Sequence, residues 1–292
     1  MLRFGGWGAR LAAGALVVAG VLAAGAGEPA RPPADPGAAP VFQQAEGTAP
    51  PAPDPAAAWA KWGLKPLPAA PPPPADKPLK LPAKGPVPVF SNVPTKDKVV
   101  FVTIDDGAEK DPRFVEMLTD LKVPVTMFLT DDIIRDDYAY FSRLQALGNP
   151  IENHTLSHPV MPSLGLDGQR RQICGDQRSL KRNYGTAPRL FRPPYGSWNS
   201  LTQQAAADCG ISGIVLWHES MQINDMQYDD PKRLNPGDVV LAHFRGPAQL
   251  KGRTMTQMFA ALLKQIGRRG FAVASLTDYV AFPGEPAGPT PR

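Results

Sequence analysis

Three short segments, far apart in a chain of 292 residues, carry side chains that could do chemistry together. They read Thr-Ile-Asp-Asp-Gly at 103–107, His-Thr-Leu-Ser-His at 154–158 and Arg-Pro-Pro-Tyr at 192–195. Between them they supply two adjacent carboxylates, two imidazoles and a guanidinium. One carboxylate and two imidazoles can bind a divalent cation, and a second carboxylate can act as a base. The chain has only four histidines, two of them in one pentapeptide, which points to a metal-dependent hydrolase.

The two acids, Asp105 and Asp106, follow an apolar run at 99–104 that is typical of a strand buried on both faces. Adjacent side chains of a strand point to opposite faces, but Gly107 permits a turn at which both carboxylates can face one cavity. One carboxylate can then bind the cation while the other remains free as a base. In a different setting, such a pair would be interpreted as two solvated surface acids.

The imidazoles of His154 and His158 have the spacing that lets two rings reach one ion from a single turn of chain. Pro159 disfavours helical backbone at the residue before it, so we expect a short, irregular turn after a strand. Ser157 and Asn153 are candidates for the groups that fix each ring's tautomer.

A rigid backbone corner is predicted at Arg192 to Tyr195, because consecutive prolines fix their own φ and restrict the residue before them. This corner would aim the backbone N–H of Tyr195 at a developing oxyanion, while Arg192 pairs with a carboxylate. A structural turn with a surface arginine is the alternative. His243 ends another apolar run, 239–243, and is a candidate general acid.

Elements that would position these groups alternate along the chain from residue 98. The pattern predicts strands at 99–104, 125–129, 151–154, 189–192, 214–217, 239–243 and 271–275. It predicts helices at 114–121, 166–184, 200–209 and 254–266. This alternation favours a parallel sheet or barrel, in which sites form at the carboxyl ends of strands.

The amino terminus has a different character. Residues 1–26 combine arginines, an apolar run and small residues in the order of a secretory signal peptide, with an uncleaved membrane anchor as the alternative. Residues 27–90 are rich in proline and alanine and predict a disordered linker, and 282–292 predict a disordered tail. We therefore expect a secreted or cell-wall-associated protein.

Net charge and cysteine content narrow the function classes. The charge of +4 is mild and its residues are scattered, so the sequence indicates no nucleic-acid binding, and nothing in it implies a specific protein partner. Because export leads to an oxidising compartment, we predict that Cys174 and Cys209 pair, with two buried free thiols as the alternative.

The segments, in this order, resemble carbohydrate esterase family 4, the polysaccharide deacetylases with a NodB homology domain. The resemblance runs from about 99 to 280 and adds a further motif at 241–243, and we place the catalytic domain at 91–281. It implies an α/β fold, a distorted (β/α) barrel of about seven strands. It also implies a divalent metal, usually zinc, and removal of acetyl groups from sugar polymers.

Roles at the matching positions follow from that resemblance. Asp106, His154 and His158 would bind the metal, and Asp105 would be the base that activates water. The backbone amide of Tyr195 would bind the oxyanion, His243 would protonate the leaving group, and Arg192 would orient Asp105.

One motif departs from the family pattern, because residues 216–220 read Leu-Trp-His-Glu-Ser where an aspartate-rich segment is common. Trp217 is a candidate to pack beside His243. Glu219 is a candidate to pair with Arg192 in place of the missing acid, or to tune the histidine. Ile104 stands where phenylalanine is frequent, a change of volume that need not alter the chemistry.

Three readings of function remain open from the sequence. The leading one is an exported deacetylase acting on acetylated polysaccharide such as peptidoglycan, a chitin-like oligomer or xylan, the last as an O-acetyl esterase. The second is an inactive carbohydrate-binding domain of the same fold. The third is a non-haem iron site, since two histidines and one carboxylate also suit iron.

Overall fold

The computed structural model describes residues 54–229 and 233–285. The predicted signal peptide and the beginning of the predicted linker lie outside the described residues. The helices are α1 (Pro55–Lys61), α2 (Pro112–Leu121), α3 (Asp131–Ile134), α4 (Tyr138–Ala146), α5 (Leu166–Tyr184), α6 (Ser200–Asp208), α7 (Met255–Arg268) and α8 (Leu276–Tyr279). None of the helices in this part of the chain has both the length and the hydropathy of a membrane-spanning segment.

Twelve strands are formed by the described residues. They are β1 (Leu79–Lys80), β2 (Val89–Phe90), β3 (Val99–Asp106), β4 (Thr126–Leu129), β5 (Ile151–Asn153), β6 (Leu190–Phe191), β7 (Gly213–Val215), β8 (Glu219–Met221), β9 (Met226–Tyr228), β10 (Val239–His243), β11 (Ala272–Val273) and β12 (Val280–Ala281).

Ten of these strands form one curled sheet in the order β2-β7-β6-β5-β4-β3-β10-β8-β9, with β11 paired to β3. All of its pairs are parallel except β8 with β9. The predicted α/β fold with a distorted barrel is confirmed. The sheet has more strands than the seven or so expected, because β2, β8 and β9 are two- or three-residue strands that local sequence patterns do not reveal.

The strand register brings the candidate residues to one edge of the sheet, which we call the carboxyl rim. His243 is paired with Asp105, and Asp106 with Leu129. Leu129 is paired in turn with Asn153, the residue before His154. The ends of four neighbouring strands therefore meet where the sequence placed the chemistry.

Residues 54–90 correct the prediction of an unpacked linker that extends to residue 90. Within this stretch α1 buries Trp59, and Leu81 and Val87 are also buried. Strand β2 pairs with β7, and β1 pairs with β12 near the other end of the chain. Proline-rich backbone is extended, and extended backbone with apolar side chains at intervals can cover a barrel as well as span solvent.

The predicted tail also begins later than residue 282. Phe282 is buried, and the Arg189 guanidinium lies over its ring at 3.6 Å. Glu285 forms ion pairs with Arg189 and with Lys77, the latter at 3.2 Å. The rest of the predicted tail lies outside the described residues.

Cys174 and Cys209 form a disulfide, as predicted, with their Cα atoms 4.9 Å apart. Cys174 lies on α5, and Cys209 is the residue that caps the carboxyl end of α6. The bond therefore fixes these two helices to each other beside the strands that carry the site.

Candidate metal centre

The side chains of strand β3 point alternately to its two faces, and the two acids lie at its end on the carboxyl rim. Val100, Val102 and Ile104 pack with the helices, whereas Val99 and Phe101 pack inside the curled sheet. Because successive side chains of a strand alternate between its faces, Asp105 also points inside the curled sheet, and only 2% of its surface is exposed.

Asp106 would point outwards on a regular strand, but as the last residue of β3 it departs from extended backbone, with φ 74°. Gly107 follows with φ 94°, and a Cβ there would lie 2.3 Å from the side chain of Ile134. A larger residue at 107 would therefore displace the turn. This turn brings the second carboxylate to the same cavity as the first, as the sequence analysis predicts.

Asp106, His154 and His158 form a group whose ligand atoms all lie within 4.8 Å of one another. The Oδ1 atom of Asp106 is 3.4 Å from Nε2 of His154 and 3.3 Å from Nε2 of His158. Charge-assisted hydrogen bonds are shorter than this, about 2.7–2.9 Å. Two ligands on a tetrahedral zinc, each about 2.0–2.1 Å from the ion, are about 3.3 Å apart.

The Asp106 carboxylate also has unused bonding capacity. Among the described residues, its buried Oδ1 has no hydrogen-bond partner. Burial alone would raise the pKa of the Asp106 carboxyl, but the imidazoles of His154 and His158 outweigh burial and hold that pKa well below its usual range. An anionic oxygen facing two ring nitrogens at tetrahedral separations fits a divalent cation.

His154 is oriented by the backbone of the neighbouring strand. Its Nδ1 lies 2.6 Å from the carbonyl oxygen of Arg192. A carbonyl can only accept, so Nδ1 carries the proton and Nε2 keeps a lone pair for a metal. Burial alone would lower the pKa of His154, and the carboxylates of Asp105 and Asp106 outweigh it and raise that pKa.

The predicted pairing of Arg192 with a carboxylate is present, and its partner is Asp105. The two groups meet at 2.7 Å between Nη1 and Oδ1, and the arginine is fully buried. Nη1 also donates to Thr103 Oγ1 at 2.7 Å, and Nε donates to the carbonyl of Val215 at 3.0 Å. The other carboxylate oxygen of Asp105 remains 3.7 Å from Nε2 of His154, beside the candidate ligands.

His243 closes the site from strand β10, in register with Asp105. Its Nδ1 is buried and has no hydrogen-bond partner within residues 54–229 and 233–285. Burial lowers the pKa of His243, although the carboxylates of Asp105 and Asp106 oppose this effect. A neutral ring with a free nitrogen is suited to exchange a proton with a bound molecule.

Tyr195 lies at the entrance to the site, with 67% of its surface exposed. Its ring is 4.8 Å from the ring of His158, edge to face, and its φ is 61°. Gly196 continues the turn with φ 66°, and a Cβ there would lie 3.0 Å from Trp217. The turn places Tyr195 beside the candidate metal ligands, and the oxyanion role of its amide stays a prediction.

Glu219 is not part of this site, which corrects the suggestion that it pairs with Arg192 or tunes His243. It is paired with Val240, three residues before His243 on the parallel strand and so about 10 Å below the carboxyl rim. Its neighbour His218 lies 2.9 Å from Ser91 Oγ, away from the candidate ligands.

Trp217 packs against Gly196 and lies over Arg192, with the guanidinium carbon 5.6 Å from the centre of a Trp217 ring. The suggested position of Trp217 beside His243 stays a prediction. Within the described chain, the carboxylate that pairs with Arg192 is Asp105 and not an acid of segment 216–220.

The titration of Glu219 should make the free energy of unfolding decrease as pH rises. Burial, reinforced by Asp238, raises the pKa of Glu219 to about 9 from a usual value of 4.5. Between these values the folded chain binds one proton more than the unfolded chain, so the free energy of unfolding decreases with pH by up to about 1.4 kcal/mol per unit. We expect Glu219→Gln to flatten this decline in urea titrations at pH 5, 7 and 8.5.

The matched control for this prediction is Glu116→Gln, at a side chain with 49% exposure. That variant should leave the slope unchanged. A slope that is identical in wild type and Glu219→Gln would show that Glu219 titrates normally.

Neither Asn153 nor Ser157 forms a hydrogen bond to the imidazole of His154 or His158. The prediction that these two residues fix the tautomers of the rings is therefore wrong. Asn153 donates to Ile173 O at 2.9 Å, and Ser157 Oγ accepts from Gln172 at 2.8 Å.

The sequence analysis missed Asp176, which is fully buried and accepts from the backbone N–H of His154 at 3.1 Å. Its only sequence signal is membership of a polar helix.

The chain is similar in sequence to known proteins. The family model described as polysaccharide deacetylase matches residues 92–214. An uncharacterised protein of Streptomyces coelicolor is 40% identical over 210 residues, which are 70% of this chain and 80% of that protein. A chitooligosaccharide deacetylase of Sinorhizobium fredii is 25% identical over 196 residues, which are 61% of this chain and 89% of that enzyme.

The fold is shared with solved structures. A family 4 carbohydrate esterase pseudoenzyme from Bacillus anthracis is similar over 67% of this chain and 70% of its own, with a TM-score of 0.56 and 21% identity. A variant of that protein with restored enzymatic activity gives the same TM-score. This likeness concerns the fold.

The chain belongs to the polysaccharide deacetylase family, and its curled sheet is the α/β half-barrel of carbohydrate esterase family 4. The family resemblance and the fold class predicted from the sequence are both confirmed. Deacetylases of this family are hydrolases that act on acetylated sugar polymers.

Proposed function

We propose that this chain is an exported, metal-dependent hydrolase that removes acetyl groups from the N-acetylated sugars of cell-wall or chitin-like polymers. One observation carries the proposal. Asp105 is ion-paired with Arg192 through one oxygen, while its other oxygen lies 3.7 Å from His154, beside a separate group of three candidate ligands. A candidate metal site and a carboxylate outside it thus lie side by side.

Asp106, His154 and His158 would hold the metal, with zinc the expected ion. When bound, a divalent cation polarises a carbonyl oxygen and increases the acidity of a coordinated water. Within that arrangement Asp105 accepts the proton of the attacking water through Oδ2. Arg192 fixes the orientation of Asp105 because it is itself held by Thr103 and by the Val215 carbonyl.

His243 supplies the second proton-transfer group. After water adds to the acetyl carbonyl, the amine leaves only when it gains a proton, which the ring of His243 can deliver once it has taken up a proton from Asp105 or from solvent. The backbone N–H of Tyr195 would donate to the oxygen that gains negative charge. Asp105 and His243 therefore act in opposite directions, as base and acid.

The entrance to the site suits a sugar polymer. Three large apolar side chains are exposed on the two segments that follow His158 and Arg192: Val160 (45%), Tyr195 (67%) and Trp198 (37%). Aromatic and aliphatic surfaces beside a polar cavity can cover the apolar faces of pyranose rings while the acetyl group enters the site. An exposed position matches a substrate that is too large to be enclosed.

Export is supported by two features of the chain. The first 26 residues have the charge and apolar pattern of a signal peptide. The Cys174–Cys209 disulfide is a bond that persists in oxidising compartments. We infer that the mature protein works outside the cytoplasm, in or near the cell wall.

The test is acetate release from a panel of N-acetylated chitooligosaccharides, peptidoglycan fragments and O-acetylated xylan, before and after removal of metal by a chelator. We expect release from an N-acetylated glycan that is lost on chelation and restored by Zn²⁺ or Co²⁺. Release from xylan alone would identify an O-acetyl esterase. Binding to glycans without release from any of them, with metal bound, would identify a carbohydrate-binding domain.

A further inference from the structure

Both candidate imidazoles lie on one short segment, residues 153–158, which we call the histidine loop. Its backbone is strained, because Thr155 and His158 have φ of 75° and 58°. Such conformations cost on the order of 1–3 kcal/mol each in residues other than glycine and persist only when the surroundings enforce them. The loop therefore needs support from outside itself.

That support comes from one turn and a half of helix α5. The backbone carbonyl of Gln172 accepts from the backbone N–H of Leu156 at 3.2 Å, and its side-chain Oε1 accepts from the backbone N–H of Ser157 at 3.0 Å. Its Nε2 donates to Ser157 Oγ at 2.8 Å. Asn153, at the start of the loop, donates to Ile173 O and to Gln177 Oε1 at 2.9 and 3.1 Å.

The central contact involves Asp176, whose Oδ2 accepts at 3.1 Å from the backbone N–H of His154, a group that also donates to the carbonyl of Leu129 at 3.1 Å. One residue before it, Gly175 leaves room for Leu156, and a Cβ at 175 would lie 2.3 Å from that side chain. The helix and the histidine loop thus fit closely, by hydrogen bonds on one side and by shape on the other.

Helix α5 is itself held in place at this turn. The disulfide from Cys174 ties it to the end of α6. Gln177 donates to the carbonyl of Pro188 at 2.8 Å, just before strand β6. The support of the histidine loop is therefore fixed to the same sheet that positions Arg192 and Asp105.

We propose that Asp176 and Gln172 are positioning residues that set the affinity of the site for its metal. Asp176 does so by supplying an acceptor oxygen to the His154 backbone, and Gln172 by holding the other half of the histidine loop. Neither residue is one of the three candidate ligands. The inference rests on the metal site of the proposed function, and it assigns to α5 a role that no catalytic motif includes.

The experiment measures the Kd for Zn²⁺ by competition with a chromogenic chelator, in full-length wild type and variants at a temperature where circular dichroism shows all of them folded. We expect Asp176→Ala to raise Kd about 10–100-fold, the usual effect of removing a group that orients a ligand. Asp176→Asn keeps an acceptor oxygen, so its Kd should stay within about threefold of the wild-type value.

Gln172→Ala provides a second variant, because Gln172 is only partly buried and its loss should not prevent folding. We expect it also to raise Kd. Leu263→Ala is the matched control, a cavity in the core at α7 that lowers the melting temperature and should leave Kd unchanged.

The outcomes separate this inference from the proposed function. If wild type binds no Zn²⁺, the proposed metal dependence fails. If wild type binds Zn²⁺ and both Asp176→Ala and Gln172→Ala bind it equally well, only the positioning role is overturned. An Asp176→Asn variant as weak as Asp176→Ala would overturn the acceptor role of Asp176.

Discussion

Asp105→Asn is expected to reduce acetate release by about 10²–10⁴-fold, the contribution of a positioned general base. The amide keeps the shape of the carboxylate but cannot accept a proton from water at neutral pH. Metal affinity should change little, because the candidate ligands are Asp106, His154 and His158. The measurement pairs initial rates of acetate release with the Zn²⁺ Kd of the same preparations.

The matched control is Asp106→Asn, the same change one residue along. It should lose both metal and activity, since the ligand oxygen that faces His154 and His158 at 3.4 and 3.3 Å is altered. If Asp105→Asn also lost its metal, the assignment of Asp105 as an unligated base would be wrong.

Arg192→Met is expected to lower the free energy of unfolding by about 3–5 kcal/mol, because it leaves the buried Asp105 carboxylate without its partner. Arg192 has 0% exposure and donates to Asp105, to Thr103 and to two backbone carbonyls. Activity should fall as well, because Asp105 loses its orientation. Urea denaturation and rates of acetate release measure the two effects.

Two further variants test the cause of this loss. Arg192→Lys should recover little, because an ammonium cannot reproduce the planar set of donors that reaches Thr103, Asp105 and the Val215 carbonyl together. The double variant Arg192→Met with Asp105→Leu should be more stable than Arg192→Met alone, since it removes the uncompensated charge. A double variant no more stable than the single one would show that the loss comes from packing.

The parts of this fold that were predictable from the sequence are those with a strong local pattern. The apolar run before Asp105 predicts β3, and the length of β3 determines that both acids reach the carboxyl rim. The helix predicted at 166–184 matches α5 (Leu166–Tyr184). The histidine spacing predicts a shared ion position because both rings lie on one short loop.

Long-range pairing accounts for what the sequence did not predict. Glu219 follows Trp217 in the chain, and only the pairing of β8 with β10 shows that it lies below the site. Asp176 lies on a helix with many polar residues, and no local pattern distinguishes the one that turns inward. The proline-rich stretch before residue 90 was misinterpreted because composition describes backbone stiffness and does not reveal what the backbone packs against.

The stretch at 54–90 has a practical consequence for any shortened form of this protein. Strand β2 occupies the outer side of β7, so a chain that starts at residue 91 would leave the backbone donors and acceptors of β7 open to solvent. An uncovered strand of this kind is a template for pairing between molecules and hence for aggregation. We therefore expect a chain shortened to residue 91 to self-associate more readily than one that keeps residues 54–90.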